Sequence, residues 1–239
     1  MNTPTPASVS GRLSLPRLVV SNGTIEGLKW VGLLLMTGDH VNKYLFAERL
    51  PGLSELGRLA MPIFGFVLAY NLARPGALEG GAYARAITRL ALWGAVASVP
   101  YMALGTVLGG WWPLNILFTL MLAAVVMYLV EVGGVARVTG AVLVFLVGGA
   151  FVEFWWPALA SCVACWAYCK RSSGWRLAAI VAATASLWFI NRNLWALAAV
   201  PLMLLAPEID VAIPHLRYVF YAYYPAHLAA LWAARMCLS

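Results

Sequence analysis

Charge is what this 239-residue chain has least of. Asp, Glu, Lys and Arg together make up 10% of it, against about 25% in soluble globular proteins. The apolar and aromatic set makes up 63%. A chain so poor in charge cannot coat a water-facing surface of its own size, which excludes a soluble domain and a disordered one. Cysteine is also sparse, and four are too few for a disulfide-stapled secreted fold. The net charge of +7 comes from 16 cations and 9 anions, but 13 of the cations are arginines scattered between apolar runs. That is not the clustered basic face of a nucleic-acid binder. No internal repeat stands out, and nothing resembles an appended soluble domain. The composition predicts an all-α, polytopic integral membrane helix bundle.

A span of about 30 Å of hydrocarbon takes about 20 mainly apolar residues. Residues 1–27 do not qualify, being rich in Ser, Thr and Pro near the start, with Arg12 and Arg17. They lack the apolar core and cleavage site of a signal peptide and are expected to form a polar cytoplasmic tail. Residues 28–239 are expected to form the transmembrane domain, with about nine spans. These are Leu28 to Phe46, Leu56 to Ala73, Ala86 to Leu108, Leu114 to Val132, Val135 to Val152, Phe154 to Tyr168, Arg176 to Ile190, Leu194 to Ala206 and Leu216 to about Ala234. The seventh and eighth are short, and the pair flanking Asn191-Arg192-Asn193 also reads as one broken hairpin. With the N-terminus in the cytoplasm, eleven Lys and Arg fall on the inner side and four on the outer, which satisfies the positive-inside rule.

Ionisable side chains at membrane depth are costly and usually face a protein interior or a wet cavity. In Met36-Thr37-Gly38-Asp39-His40-Val41-Asn42-Lys43, the spacing puts Asp39, His40 and Lys43 on one helical face. A carboxylate beside an imidazole can fix its tautomer and raise its basicity; the competing reading is an ion pair that locks helix packing. His227 follows Tyr221, Tyr223, Tyr224 and Pro225, tyrosines that either line a cavity or form an interfacial aromatic belt. Pro225 predicts a kink near Tyr221. Asp39 and His227 each lie about 11 residues into spans that start on the same side, so both reach similar depth at about 1.5 Å per residue. That agreement predicts one cavity holding Asp39, His40 and His227. Arg58, at the outer end of the second span, can clamp a carboxylate or an oxyanion, or simply snorkel. Asn115 can orient a substrate or cap its helix. Glu153 is outward, with Arg192 as a possible counter-charge. Cys162, Cys165 and Cys169 share a helix face, but no fourth ligand lies close in sequence, so packing is expected rather than a metal.

The order of these blocks resembles the conjugal transfer TraX family of integral membrane proteins. Leu28-Lys29-Trp30 through Met36, then Asp39-His40, looks like the family's opening signature. Gly57-Arg58-Leu59 with Pro62-Ile63-Phe64, Asn71-Leu72-Ala73-Arg74, Leu114 to Leu120 and Phe220 to His227 resemble its later blocks in the same order, so the resemblance covers about residues 28–230. Length and tail are similar to the TrbP-type branch. Two departures stand out: Trp155 occupies a position where a glycine is expected, and Gly38 replaces an expected acidic neighbour.

The resemblance implies pilin maturation in the bacterial inner membrane by a multi-pass enzyme related to membrane acyltransferases. Its leading activity is formation of an amide at the pilin N-terminus, N-acetylation by acyl transfer with acetyl-CoA as donor. Head-to-tail pilin cyclisation, which needs no donor, is the alternative, and a non-catalytic membrane chaperone that holds pilin is a third. Transport is disfavoured by the lack of an inverted repeat. Asp39, His40, His227 and Arg58 are the expected catalytic set, with Asp39-oriented His40 as principal base. Lys43, Asn115, Glu153, Tyr223, Tyr224 and Arg192 are the expected substrate side. The implied partners are a conjugative pilin subunit and membrane lipid, with no nucleic acid. For the orientation, alkaline phosphatase fused after Gly52 should be active and the same enzyme fused after Gly76 inactive; the reverse pattern overturns it.

Overall fold

The computed structural model describes residues 18–105, 107–216 and 218–238. Most of the expected tail, with Arg12 and Arg17, lies outside the described residues, as does Arg217. Among the described residues the chain is all-helical, and pairing outside helices amounts to isolated bridges at Leu108 with Trp112 and Leu114 with Val152.

Each of the nine apolar runs coincides with helix. α1 spans Asn22–Leu45, α2 Pro51–Gly57, α3 Ala60–Ala73, α4 Ala82–Ala103 and α5 Ile116–Val132. α6, Val135–Leu143, continues into a π turn at Val144–Gly148. α7 spans Trp155–Lys170, α8 Gly174–Ala185 and α9 Trp188–Asn191. α10, Ala199–Leu205, lies between two 3₁₀ turns, and α11 spans Val219–Leu238. Between the seventh and eighth runs the helix breaks at Arg192, which ends α9 at φ 58°. α1 starts at Asn22 rather than Leu28 because Ser21 caps it, its Oγ accepting from the Thr24 amide at 3.2 Å. The helix passes Gly38 unbroken, and α11 runs through Pro225. By length and apolarity, Pro51–Ala73 is long enough to cross a membrane, while Ile116–Val132, Val135–Gly148 and Trp195–Glu208 are apolar but shorter.

Five helices close a ring. α1 packs on α3, α3 on α5, α5 on α4, α4 on α11, and α11 back on α1. α7 packs across α3 and α5, α8 covers α7, α6 lies on α5, and α10 on α3. α3 and α7 approach closely because Gly65 faces Cys162, where an added Cβ would come within 2.8 Å of the sulfur. Cys162 and Cys165 are buried packing residues of that contact.

The two ends of the ring are tied differently. At one end, the Tyr70 hydroxyl donates to the Val20 carbonyl at 3.0 Å and accepts from the Val20 amide at 2.8 Å. Arg74 donates to Asn22 there at 2.7 Å, and the Thr24 hydroxyl to the Ile209 carbonyl. At the other end, fully buried Asn42 organises the connection between α1 and α2. Its side-chain nitrogen donates to the Leu50 carbonyl at 2.8 Å and to Ser54 Oγ at 2.9 Å, while its oxygen accepts from the Leu50 amide at 2.9 Å. Replacing Asn42 by Ala leaves buried backbone groups unpartnered. Asn42→Ala should cost about 2–4 kcal/mol of stability, measurable as a lower melting temperature in detergent; unchanged melting would refute this role.

Candidate active site

The ring places α1 against α11 at the depth of two histidines. His40 Nδ1 and His227 Nε2 lie 2.8 Å apart. The proton positions follow from the neighbours. His227 Nδ1 lies 3.1 Å from the Tyr223 carbonyl, which can only accept, so Nδ1 carries the hydrogen. In neutral His227, Nε2 then holds a lone pair and accepts from His40 Nδ1–H. That leaves the lone pair of His40 on Nε2. The Tyr223 ring also lies nearly parallel to His227, at 5.2 Å and 14°. Tyr224 is buried and packs on the same imidazole.

This corrects the expected Asp39–His40 pair. Successive residues on a helix point about 100° apart, so a carboxylate does not readily face the imidazole next to it. The partner of His40 is His227, and Lys43 is the cation that acts on it. Asp39 turns instead toward the α1–α2 connection, where Ser54 donates to it and Arg58 and Lys43 are its nearest cations. The approach is tight: a Cβ on Gly57 would come within 2.4 Å of the Asp39 Cβ. Glycine at 57 is what lets the end of α2 come this close to Asp39.

Asp39, His40, Lys43, Glu48, Arg58 and Glu153 line one polar hollow of about 100 Å³, with Tyr224 in its wall. Glu153 sits against the start of α5, where the Ile116 amide donates to its carboxylate. Its backbone is pinned by Glu153 N–H to the Leu114 carbonyl at 2.8 Å and by the Thr119 hydroxyl to its own carbonyl at 2.8 Å. Lys43 and Arg58 are the cations that act on it. The expected counter-charge, Arg192, is elsewhere: exposed at the end of α9, with its guanidinium over Trp188. Arg58 Nε is buried without a hydrogen-bond partner. A buried guanidinium N–H with an unmet hydrogen bond is suited to a ligand oxygen.

Asn115 is a cap. It is fully buried, accepts from the Leu117 amide at 3.1 Å, and donates to the Gly94 carbonyl at 2.9 Å and Ser98 Oγ at 3.1 Å. With its amide committed to α4 and α5, it holds the ring together rather than lining the hollow.

A second, larger space adjoins the first. This chamber, about 300 Å³, lies inside the five-helix ring and shares Met36, Phe64, Ile116 and Tyr224 with the polar hollow. Its walls are mostly apolar, and Lys29, Arg85 and Arg89 line the end remote from the histidines. Lys29 pairs with Glu26 at 2.5 Å, and His215 approaches the same carboxylate at 2.6 Å. Chamber and hollow together run nearly the length of α1, from Lys29 to Glu48 just past its end.

The backbone is strained around the hollow. Among the described residues, non-glycine positive φ occurs at Ala47 (51°), Glu48 (60°), Phe154 (61°), Trp155 (47°) and Arg192 (58°). Glu48 and Phe154 line the hollow, and Ala47 and Trp155 adjoin them. Such strain clusters at functional sites. The left-handed φ of Trp155 also explains why a glycine suits that position. Trp155 compensates with a ring stacked on Trp112 at 6.0 Å.

Sequence reasoning passed over Asn42, Thr37 and Glu48. The signal for the first two was there, since each is polar and sits within a helix turn of Asp39 or His40. Among the described residues, no group of three or more His, Cys, Asp or Glu is placed to hold a metal ion.

Fold and site define a helical-ring protein that holds a histidine pair between an apolar chamber and a charged hollow. The chain belongs to the TraX family: the family pattern described as TraX protein matches residues 24–235. It is 33% identical over 132 residues to Protein TraX of Escherichia coli, covering 55% of this chain and 50% of that one. The chain therefore spans about half the length of the curated relative it matches. No solved structure matches it.

Proposed function

We propose that this protein is a multi-pass enzyme of the bacterial inner membrane that matures conjugative pilin by forming an amide at the pilin N-terminus, with acetyl-CoA as acyl donor. The observation that carries this reading is the His40–His227 bond, which leaves the His40 Nε2 lone pair on a ring lining a hollow that also holds an unpartnered arginine N–H. An attacking amine must lose a proton, and a positioned base contributes about 10²–10⁴-fold.

His40 accepts that proton at Nε2. The resulting positive charge is shared through Nδ1–H to His227 and on to the Tyr223 carbonyl. Arg58 Nε–H stabilises negative charge as it develops on the carbonyl oxygen. Lys43 and Asp39 set the field of the hollow, and Glu153 lies within reach of the same cations.

The chamber fits a thioester donor. Its apolar walls suit a slender flexible arm, and Lys29, Arg85 and Arg89 suit phosphates at its far end. When bound, that donor would supply an activated acetyl carbonyl: the new carbon–nitrogen bond would replace its carbon–sulfur bond, and CoA would leave as the thiol, taking up the proton that His40 removes from the amine. Since the cationic end lies on the cytoplasmic side of the expected topology, donor and pilin reach the histidines from opposite faces. Membrane placement is supported by the coincidence of the nine apolar runs with helix and by apolar side chains exposed along α4 and α6, such as Leu92, Val96, Val99, Val138 and Val142.

The decisive measurement is intact pilin mass after incubation with the purified protein, with and without acetyl-CoA. A gain of one acetyl group that needs the donor is expected, and His40→Gln should slow it at least about 100-fold. Loss of one water without donor would identify ring closure instead. Full modification by a His40→Ala, His227→Ala double variant would leave only a holding role.

A further inference from the structure

We propose that Thr37 is a positioning residue, acting through Tyr223 to hold the histidine pair in one tautomeric state. The inference rests on the reading of His40 as the proton-accepting group. The geometry forms a closed loop of contacts between two helices. Thr37 Oγ1 donates to the Leu33 carbonyl one turn back on α1, at 2.7 Å. Its hydrogen spent, the oxygen can only accept from the Tyr223 hydroxyl, 2.9 Å away on α11. Tyr223 in turn holds His227 in two ways, by the carbonyl that receives Nδ1–H and by the ring lying along the imidazole. His227 then meets His40, which is on α1 one turn after Thr37. Thr37 and His40 are thus two points on one helix, and Tyr223 and His227 two points on the other.

The latch fixes direction as well as distance. An imidazole can exchange its proton between nitrogens, which would move the lone pair from His40 Nε2 to Nδ1, or it can rotate, which would swing its nitrogens out of line with their partners. Thr37 prevents this indirectly. With the Tyr223 hydroxyl anchored, the first turns of α11 keep their register on α1, and the carbonyl of residue 223 stays aimed at His227. The Thr37–Tyr223 bond and the histidine pair both join α1 to α11 at this depth. Thr37 touches no reacting atom in this scheme.

The test uses the full chain in detergent with ¹⁵N-labelled histidine, where ring-nitrogen shifts separate N–H from lone-pair nitrogens. The wild type should show His227 protonated at Nδ1 and His40 protonated at Nδ1. In Thr37→Val, which keeps shape and removes the hydroxyl, both rings should move toward shifts averaged between tautomers, and Thr37→Ser should restore the wild-type spectrum. Tyr223→Phe deletes the other half of the same bond while keeping ring and carbonyl, and should match Thr37→Val. In the pilin assay, both deletions should lower kcat about 10-fold with KM changed less than about twofold, in line with the cost of misplacing a catalytic group. A wild-type histidine spectrum in either deletion variant overturns the proposal. Inactivity of the wild type itself would instead count against the catalytic reading, since the tautomer measurement needs no turnover.

Discussion

The bond between His40 and His227 is the contact on which the site depends, because it joins the first and last helices of a ring whose contacts are mostly apolar. Apolar packing resists separation but says little about register, since side chains of similar size can slide by one position at modest cost. A hydrogen bond between two rings does not slide. Placed between α1 and α11, it closes the ring at one height and separates an apolar chamber on one side from a charged hollow on the other. The Thr37–Tyr223 bond repeats the constraint one turn away.

Around that contact, polar groups are arranged to serve one another. Asn42 holds the α1–α2 connection, Ser54 receives from Asn42 and gives to Asp39, and Asp39 faces Arg58 across Gly57. Asn115 and Glu153 both use the start of α5, one as its cap and the other through the Ile116 amide. Buried polar groups joined in this way are expensive to leave half-satisfied, which makes the hollow stiff. The exception is Arg58 Nε, buried and unpartnered. Within an otherwise satisfied cluster, that N–H is a hydrogen bond left unmet.

Much of the helical layout was legible in the sequence. The nine apolar runs fall on helices because long apolar stretches flanked by Gly, Pro and polar residues leave few other options. The meeting of His40 and His227 was legible too, from similar depth along helices entering on the same side, whereas the single cavity expected for Asp39, His40 and His227 holds the first two, with His227 behind His40. What was not legible was pairing. Asp39 and His40 are neighbours in the chain, yet each meets a partner from another segment, because residues one apart on a helix diverge. Arg192 was matched to Glu153 on charge alone, while the cations that reach Glu153, Lys43 and Arg58, come from α1 and from the start of α3. Asn115 reads equally as cap or ligand until Gly94 and Ser98 are seen to occupy its amide. Trp155 departs from a glycine position, and its positive φ shows what the glycine would relieve.

The sequence by itself determined that this is an apolar helical chain in which His40 and His227 lie at similar depth, because helix period and hydropathy are local properties. Only the tertiary structure decided which imidazole donates to which, that a chamber lies behind them, and that Thr37 meets Tyr223. Those outcomes depend on how distant helix faces meet, and no local pattern carries that information.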